Sequence, residues 1–304
     1  MIKEPEFQAQ IINFSEVKKN RITEEALIQN DRSRFQGPRV IAITSGKGGV
    51  GKTNIVTNLG FYLGKFGKKV LILDADLGLG NLDIILGITP RYNLSHVLTG
   101  EKKVNEIIVD GPGNLKILPA SSGIQEMTKL NPSQKYYLAR ELEAVVKSFD
   151  YLLIDTAAGI SSNVLFFNLS AQEILVVATP EPTSITDAYA LVKILSIRYQ
   201  EKNFKLIVNF ARSRQEADEI HRQFNLVTAR FLDLSIEYFG YVLMDANIKK
   251  CIKKQKIVSQ WAPDAPASLS FAILAEKISQ SDPPMVGRKN GVFGHSQSLM
   301  QSVD

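Results

Sequence analysis

The sequence predicts an α/β fold, a doubly wound, mostly parallel sheet with helices on both faces. Short apolar runs alternate along the chain with longer stretches of helical periodicity. Most of these runs are apolar throughout, as expected for strands that helices cover on both faces. A glycine-rich loop separates the first apolar run from the first helical stretch. Strand, glycine loop and helix, in that order, are the context of a phosphate-binding P-loop.

The predicted elements follow one another without an internal repeat. Strands are predicted at 40–44, 70–74, 115–119, 151–155, 173–178, 204–209 and 239–242. Helices are predicted at 54–65, 132–148, 184–198, 216–232 and 268–279. We therefore predict an N-terminal arm at 1–37, a single α/β domain at 38–280 and a flexible tail at 281–304.

The glycine loop, SGKGGVGKT, runs from Ser45 to Thr53. Glycines let the backbone curl so that several N–H groups point at one anion, and the following helix adds its partial positive charge. Lys52 is expected to reach the β- and γ-phosphates, and the Thr53 hydroxyl to bind Mg²⁺. The plainer interpretation is a glycine-rich turn with surface lysines, but the ordered match and its context argue against it.

Three aspartates are predicted where strands end, which is where doubly wound sheets bind ligands. Asp74 and Asp76 end one strand and Asp155 ends another. Carboxylates beside a polyphosphate would repel it unless a cation lay between them, which predicts Mg²⁺ held with Thr53. Strand-end capping explains any one aspartate, but three around one phosphate loop favour a functional site. Gly159 is predicted to bring the backbone close to the γ-phosphate.

The sequence KGGVGKT, which begins with an additional lysine at Lys47, resembles the deviant Walker A motif of the MinD/ParA ATPases. The resemblance implies ATP and Mg²⁺ as ligands, and an ATP-dependent homodimer in which Lys47 reaches the partner's nucleotide. It implies catalytic roles for Lys47, Lys52 and Asp76, of which Asp76 orients the attacking water.

The same resemblance assigns the remaining site residues. Thr53, Asp74 and Asp155 are expected to hold Mg²⁺, with Asp155 acting through water. Asn209 is expected at the adenine edge, although a simple strand-end turn residue is the alternative. The residues expected to bind the nucleotide are Gly46, Gly48, Gly49, Val50, Gly51, Lys52, Thr53, Asn54, Gly159, Asn209 and Arg212.

A more specific resemblance links residues 38–280 to the FlhG family of flagellar-number regulators, also called YlxH or FleN. The run DADLGLGNLD at 74–83, the segment VNFARS at 208–213 and the stretch 231–242 carry it. It implies a switch ATPase that regulates flagellar number or placement and whose slow ATP hydrolysis dissolves the dimer. The alternatives are a MinD-type division-site ATPase, a ParA-type DNA-segregation ATPase and a scaffold with an inactive site.

The FlhG resemblance also implies partners. An FlhF-like GTPase is expected, and flagellar switch proteins, a flagellar transcription regulator and an anionic membrane surface are further candidates, while DNA is not expected. Residues 7–13 partly match the helix that activates the GTPase, and a plain docking helix is the alternative. The helical stretch at 268–279 is amphipathic, but packing on the sheet explains it more simply than membrane binding. The basic cluster at 249–256 is interpreted as a solvated helix face, and contact with DNA, lipid or an acidic partner is the alternative.

Composition agrees with a cytoplasmic protein, peripheral at the inner membrane face or cell pole if it binds membrane. The 304 residues carry a net charge of +5, which permits an anionic partner without requiring one. Cys251 is the sole cysteine, so no intrachain disulfide forms. One thiol per chain also argues against the nitrogenase-reductase relatives, in which each subunit supplies two thiolates to an iron–sulfur cluster.

Overall fold

A computed structural model describes residues 37–121 and 123–282, and an eight-stranded sheet runs through them. The strands are β1 (Arg39–Ser45), β2 (Val70–Ala75), β3 (Val109–Asp110), β4 (Lys116–Leu118), β5 (Tyr151–Ala158), β6 (Glu173–Ala178), β7 (Phe204–Ala211) and β8 (Glu237–Leu243). Their order across the sheet is β3-β4-β2-β5-β1-β6-β7-β8. Neighbours are parallel except β3 and β4, which pair antiparallel. The predicted fold class is confirmed.

Helices occupy most of the connections. They are α1 (Lys52–Lys65), α2 (Leu82–Leu86), α3 (Leu94–Leu98), α4 (Val104–Ile107), α5 (Pro132–Val146), α6 (Ser162–Ser170), α7 (Pro182–Tyr199), α8 (Arg214–Leu232), α9 (Ala246–Lys253), α10 (Val258–Trp261) and α11 (Pro266–Gln280). Two 3₁₀ turns lie at Pro112–Asn114 and Gln125–Thr128. None of the helices within 37–121 and 123–282 has the length and apolar character needed to cross a bilayer.

Both faces of the sheet are covered, so the central strands are buried along their whole length. In β1, Ile41 and Ile43 point to the face covered by α1 and α11, whereas Val40 and Ala42 point to the opposite face. Helices α3 to α6 cover that opposite face over β2 and β5, and α6 to α8 cover it over β6 and β7. This two-sided burial explains why the strands read as continuous apolar runs.

The position of β1 determines where the site lies. Strand β1 lies between β5 and β6 in the sheet. Strands β2 to β5 lie on one side of β1, and the later strands β6, β7 and β8 lie on the other side. A crevice opens at such a reversal of strand order, beyond the carboxyl ends of the strands. The glycine loop leaves β1 at this point and leads directly into α1.

The predicted long elements are present, with ends shifted by a few residues. Helices α7 and α11 begin at Pro182 and Pro266, two residues before the predicted starts, because proline is favourable at the first helical position. The short helices α2 to α4 and the edge strand β3 are not in the prediction, since their sequences are too short for a periodic signal. Helix α6 is buried on nearly all sides and therefore shows no amphipathic pattern.

Three predictions concern the chain ends. Helix α11 packs on β8 and α1 through Phe271, Leu274 and Ile278, which confirms the prediction that this helix covers the sheet. The activator-like helix predicted at 7–13 lies outside the described residues. So do the rest of the predicted arm up to residue 36 and the predicted tail from residue 283 onward.

Candidate functional site

The glycine loop takes a backbone path that two of its glycines make possible. Gly51 has φ of 90°, and a Cβ built on it would lie 2.3 Å from the Asn209 side-chain nitrogen. A Cβ on Gly46 would lie 2.0 Å from the Asp187 carbonyl oxygen. The first turn of α1 has no side-chain cap and no acidic residue. Its N–H groups and partial positive charge are therefore available to an anion held by the loop.

Lys52 points back over the start of the loop. Its Nζ donates a hydrogen bond to Ser45 Oγ at 2.9 Å. Burial lowers the pKa of Lys52, while the nearby carboxylates Asp155 and Asp76 act in the opposite direction. The arrangement places a cation between the loop and the acidic ends of the strands.

Asp74 and Asp155 are direct neighbours in the β2–β5 register and both are buried. Burial raises the pKa of Asp155 to about 6, although the Thr53 hydroxyl and the Lys52 charge lower it. Burial and then the charge of Asp155 raise the pKa of Asp74. Asp155 Oδ1 has no hydrogen-bond partner among the described residues. A buried carboxylate oxygen without a partner, beside a second carboxylate, fits a site for a divalent cation.

Mg²⁺ would need further oxygen ligands at this site. Within the described part of the chain, no group of three or more His, Cys, Asp or Glu side chains is spaced to hold a metal ion. The predicted ligands Thr53, Asp74 and Asp155 therefore fit only part of a coordination shell. Phosphate oxygens and water are the usual remaining ligands of Mg²⁺, which dehydrates reluctantly and demands octahedral geometry.

The loop after β2 places Asp76 at the edge of the crevice. Its Oδ1 accepts a hydrogen bond from Leu79 N at 3.3 Å, and its own N–H donates to Asp74 Oδ1 at 3.2 Å. Asp76 is half-buried, in contrast to Asp74. On the other side of the crevice, Gly159 has φ of 90° and its N–H donates to Ser45 O at 2.9 Å. The loop after β5 therefore contacts the start of the phosphate loop, and Asp76 lines the same cavity as that loop.

A cavity of about 510 Å³ joins these elements. Predicted residues that line it are Gly48, Gly49, Gly51, Lys52, Thr53, Asn54, Asp74, Asp76 and Asp155. The other ten lining residues are not among the predicted site residues: Asn81, Ile85, Thr156, Ala158, Phe210, Met244, Asp245, Ile248, Lys249 and Ile252. They come from the loop after β2, from α2, from β5, from the end of β7, from the loop after β8 and from α9, which the sheet order brings together. The positive φ of Phe210 is a structural signal that the sequence does not reveal.

Six predicted site residues are not among the lining residues of this cavity: Gly46, Lys47, Val50, Gly159, Asn209 and Arg212. Gly46 packs against the Asp187 backbone, and Val50 is buried under the loop. The Asn209 side chain is 1% exposed, donates to Val50 O at 2.7 Å and accepts from Phe210 N at 2.9 Å. Arg212 is exposed beyond the end of β7. The assignment of Asn209 and Arg212 to a base stays a prediction.

Lys47 has a different environment from Lys52. It is 35% exposed, and its Nζ lies 2.5 Å from Glu181 Oε2 and 2.9 Å from Thr183 Oγ1 at the start of α7. It is not among the residues that line the cavity. One lysine of the loop therefore points into the site and the other lies on the surface next to it.

Comparisons with known proteins agree with this geometry. A family model described as an AAA domain matches residues 38–208. The antiactivator FleN of Pseudomonas aeruginosa is 42% identical over 240 residues, which cover 79% of this chain and 86% of FleN. The flagellum site-determining protein YlxH of Helicobacter pylori is 35% identical over 240 residues, covering 78% of this chain and 81% of that protein.

A solved structure shows the same fold. The septum site-determining protein MinD from Pyrococcus horikoshii, complexed with Mg-ADP, is 26% identical and has a TM-score of 0.66. The match covers 80% of this chain and 96% of that one. The chain is an ATPase, with ATP and Mg²⁺ as its ligands. It belongs to the MinD/ParA family of P-loop ATPases, and within it to the flagellar regulators that include FleN and YlxH.

Proposed function

We propose that this ATPase is a switch that dimerises around ATP and thereby regulates the number or placement of flagella. The observation that carries the proposal is the separation of two lysines from one loop. Lys52 points into the cavity, whereas Lys47 lies on the adjoining surface and pairs with Glu181. Lys47 is a surface cation beside the mouth of the cavity, so it can contact the nucleotide of a second copy. Lys52 cannot, because it points into the cavity of its own chain.

The phosphate end of the cavity has the groups that hydrolysis needs. The loop N–H groups and Lys52 hold the phosphates and stabilise the negative charge that develops on the γ-phosphate. Thr53 and Asp74, with Asp155 acting through water, would hold Mg²⁺, and the bound ion would neutralise phosphate charge. Asp76 is half-buried at the crevice edge and orients the attacking water. Gly159 brings the next loop against the start of the P-loop, where it responds to the γ-phosphate.

Dimerisation changes the environment of Lys47. In the single chain its ammonium group is held by Glu181 and Thr183, and both of these contacts are exposed. An exposed ion pair contributes about 1 kcal/mol or less, so the phosphates of a partner's nucleotide can replace it. Hydrolysis removes the γ-phosphate, and Lys47 then loses the negative charge that it contacts across the interface. The dimer then separates, and the cycle reports nucleotide state to other proteins.

The ATP-bound dimer is expected to bind an FlhF-like GTPase. Flagellar switch proteins, a flagellar transcription regulator and an anionic membrane surface are further candidate partners. The similarity to FleN, an antiactivator, and to YlxH, a flagellum site-determining protein, supports the flagellar assignment. The proposed location is the cytoplasm, at the inner membrane face or cell pole when the dimer is formed.

A MinD-type role at the division site is the second candidate. It is favoured by the similarity to septum site-determining MinD proteins, one of which, from Thermotoga maritima, is 39% identical over 175 residues. That match covers 56% of this chain and 63% of that MinD, whereas the FleN match covers more of both proteins at higher identity. Capture of a division inhibitor in place of flagellar proteins would favour the MinD-type role.

Asp76→Ala tests the switch. The variant is expected to bind Mg·ATP, to hydrolyse it at least tenfold more slowly and to remain a dimer, because the water-orienting carboxylate is absent. Light scattering on a sizing column gives the mass, and the bound nucleotide is measured in the same fraction. The matched control is the double variant Lys47→Ala/Asp76→Ala, which is expected to bind ATP and stay monomeric.

The same variant identifies the partner. Asp76→Ala, loaded with ATP, is used to capture proteins from its own cell extract, with the double variant as the control. A GTPase or flagellar regulators captured by the dimer alone support the proposal. ATP-loaded Asp76→Ala protein that runs as a monomer would contradict it.

A further inference from the structure

Asn163 is a buried amide to which the proposed hydrolysis assigns no role. It is 4% exposed and is the second residue of α6, which follows the loop at 159–161. Gly159 attaches this loop to the start of the P-loop, because its N–H donates to Ser45 O at 2.9 Å. A buried side-chain amide needs hydrogen-bond partners, and those of Asn163 lie in a different part of the chain.

Three hydrogen bonds connect the Asn163 side chain to the segment 123–130, which we call the bridge. Its Oδ1 accepts from Leu130 N at 3.1 Å. Its Nδ2 donates to Met127 O at 3.1 Å and to Thr128 O at 3.2 Å. The bridge contains one 3₁₀ turn, and Asn163 supplies partners to backbone groups around the end of that turn.

The bridge also contacts the loop between β2 and α2, which carries Asp76 and which we call the Asp76 loop. Gly123 N donates to Gly78 O at 3.1 Å. A Cβ built on Gly78 would lie 2.7 Å from Thr128 Cγ2, so the two segments are in close contact at this glycine. The bridge therefore contacts both α6 and the Asp76 loop.

Packing keeps the bridge in place at both contacts. Leu77, which follows the aspartate of the Asp76 loop, is 2% exposed and lies in the same buried cluster as Met127 and Leu130. Lys135, in the helix that follows the bridge, is 6% exposed and donates from Nζ to Ser162 O at 3.3 Å. The start of α6, the bridge and the Asp76 loop are thus connected on the face of the sheet opposite α1 and α11.

We propose that Asn163 is a positioning residue for ATP hydrolysis, which holds the bridge against the Asp76 loop and thereby fixes the Asp76 carboxylate. The inference rests on the proposed role of Asp76 and deepens it. The Asp76 loop and the loop at 159–161 leave the neighbouring strands β2 and β5. Asn163 and the bridge join the two loops outside the cavity, so the loop that follows β5 helps to determine where the carboxylate stands.

Asn163→Ala removes all three hydrogen bonds and leaves every residue that lines the cavity unchanged. Its rate of ATP hydrolysis is expected to fall about tenfold, because misplacement of a catalytic group by about 1 Å costs up to about a hundredfold. The dissociation constant of a non-hydrolysable ATP analogue with Mg²⁺ is expected to stay within about twofold, since the P-loop contacts are retained. Single-turnover hydrolysis with the enzyme in excess measures the rate, and calorimetry measures the dissociation constant.

A double variant distinguishes positioning from general damage to the domain. If Asn163 acts through Asp76, then Asn163→Ala/Asp76→Ala hydrolyses ATP at the rate of Asp76→Ala alone, because no carboxylate remains to be positioned. A separate structural loss would instead add to the effect of Asp76→Ala.

Asn225→Ala is the matched control. Asn225 also joins a helix to a neighbouring segment through its amide, since its Oδ1 accepts from Ile236 N at 2.7 Å. It lies in α8 and does not line the cavity. This variant is expected to lose stability and to hydrolyse ATP at the wild-type rate.

Gly78 provides a second measurement if Asn163→Ala does not fold. Gly78→Ala places a methyl group against Thr128 Cγ2 and is expected to separate the bridge from the Asp76 loop and to slow hydrolysis. Thr128→Ser removes Cγ2 but keeps the hydroxyl that donates to Gln125 O at 2.6 Å. The double variant Gly78→Ala/Thr128→Ser is therefore expected to recover most of the wild-type rate.

Three results would overturn the inference. The first is a wild-type rate in folded Asn163→Ala, and the second is a rate for Asn163→Ala/Asp76→Ala well below that of Asp76→Ala. The third is a failure of Thr128→Ser to restore the rate of a slowed Gly78→Ala protein. Asp76→Ala protein that hydrolyses ATP at the wild-type rate would instead contradict the proposed function.

Discussion

Buried carboxylates lie at both ends of the same sheet, and their surroundings differ. Glu173, at the start of β6, is 2% exposed and contacts the guanidinium of Arg39 and the ammonium of Lys205. Asp155, in the carboxyl-terminal half of β5, is 3% exposed and has one oxygen without a partner among the described residues. Burial alone would raise the pKa of Glu173, yet Arg39 and Lys205 together hold it below its ordinary value. Burial raises the pKa of Asp155 to about 6.

The difference separates stability from function within one sheet. At the amino end of the strands, a buried charge has its counter-charges within the chain, and the group supports folding. At the carboxyl end, Asp74 and Asp155 have incomplete compensation, and their charges become favourable when a cation arrives. The site is therefore destabilising until its ligand binds, as expected for strain stored at functional positions.

The largest expected effect on stability is at Glu173, at the amino end of the strands, where the buried charge has counter-charges within the chain. We call this the paired end of the sheet. Glu173→Gln should lower the free energy of unfolding by about 3 kcal/mol, because it leaves Arg39 buried without its counter-charge. Nucleotide affinity should stay unchanged, since the site lies at the other end of the strands. Urea unfolding and ATP calorimetry measure the two quantities.

A double variant serves as the control for the paired end. Arg39→Met combined with Glu173→Leu removes both charges and should restore much of the lost stability. A double variant no more stable than Glu173→Gln would show that Arg39 acts mainly through its hydrogen bonds to Ile278 O and Ser281 O.

The next largest effect is at Asp155, at the carboxyl end of the strands, where the buried carboxylates are incompletely compensated. We call this the unpaired end of the sheet. Asp155→Asn should raise the unfolding free energy of the nucleotide-free protein by about 2 kcal/mol at pH 8, given a pKa raised by roughly two units. The folded pKa lies above the unfolded one, so the wild-type protein loses stability as pH rises through about 6. The gain should therefore be near zero at pH 4 and complete above pH 7. Thermal melts of both proteins across this range measure it.

Asp155→Asn should also lose the stabilisation that Mg·ATP gives the wild-type protein, because Mg²⁺ loses a carboxylate. If the variant is more stable than the wild-type protein and still gains stability from Mg·ATP, then the Asp155 charge destabilises the free protein but is not needed to bind the metal ion. A destabilised variant would contradict the comparison itself.

The smallest expected effect is again at the paired end, where it tests the contribution of Lys205 to the environment of Glu173. Lys205→Met should cost about 1 kcal/mol, less than Glu173→Gln, because Arg39 still compensates the carboxylate. The pKa of Glu173 should then rise toward its ordinary value. The variant should consequently lose stability at a higher pH on acidification than the wild-type protein, which an acid titration followed by circular dichroism detects. Identical acid transitions would mean that Lys205 contributes nothing to holding the Glu173 pKa down.

The phosphate end of the site could be predicted from the sequence because its parts are local. A P-loop is nine consecutive residues here, and Asp74 and Asp155 end apolar runs that must be parallel neighbours in such a fold. The pairing of Lys47 with Glu181 could not be predicted, since it joins residues more than a hundred positions apart. Phe210 directly follows the predicted strand at 204–209, and nothing in the sequence distinguishes it until its φ is known.

The missed elements have physical reasons of their own. Helices α2 to α4 are each one turn or slightly more, and their apolar residues fill the core without a readable period. The edge strand β3 has two residues and exists because β4 offers it a partner.

The packing of α11 on α1 has a consequence for how the protein is made. Arg39, at the start of the first strand, holds carbonyls at the end of α11, and Asn58 of α1 accepts a hydrogen bond from Ser259 N. The helix that starts at the nucleotide loop is therefore covered by residues that a ribosome adds more than two hundred positions later. A growing chain therefore presents the ATP-binding sequence long before the residues that cover α1 have been synthesised, and we expect α1 to reach its final packing only when translation of the domain is nearly complete.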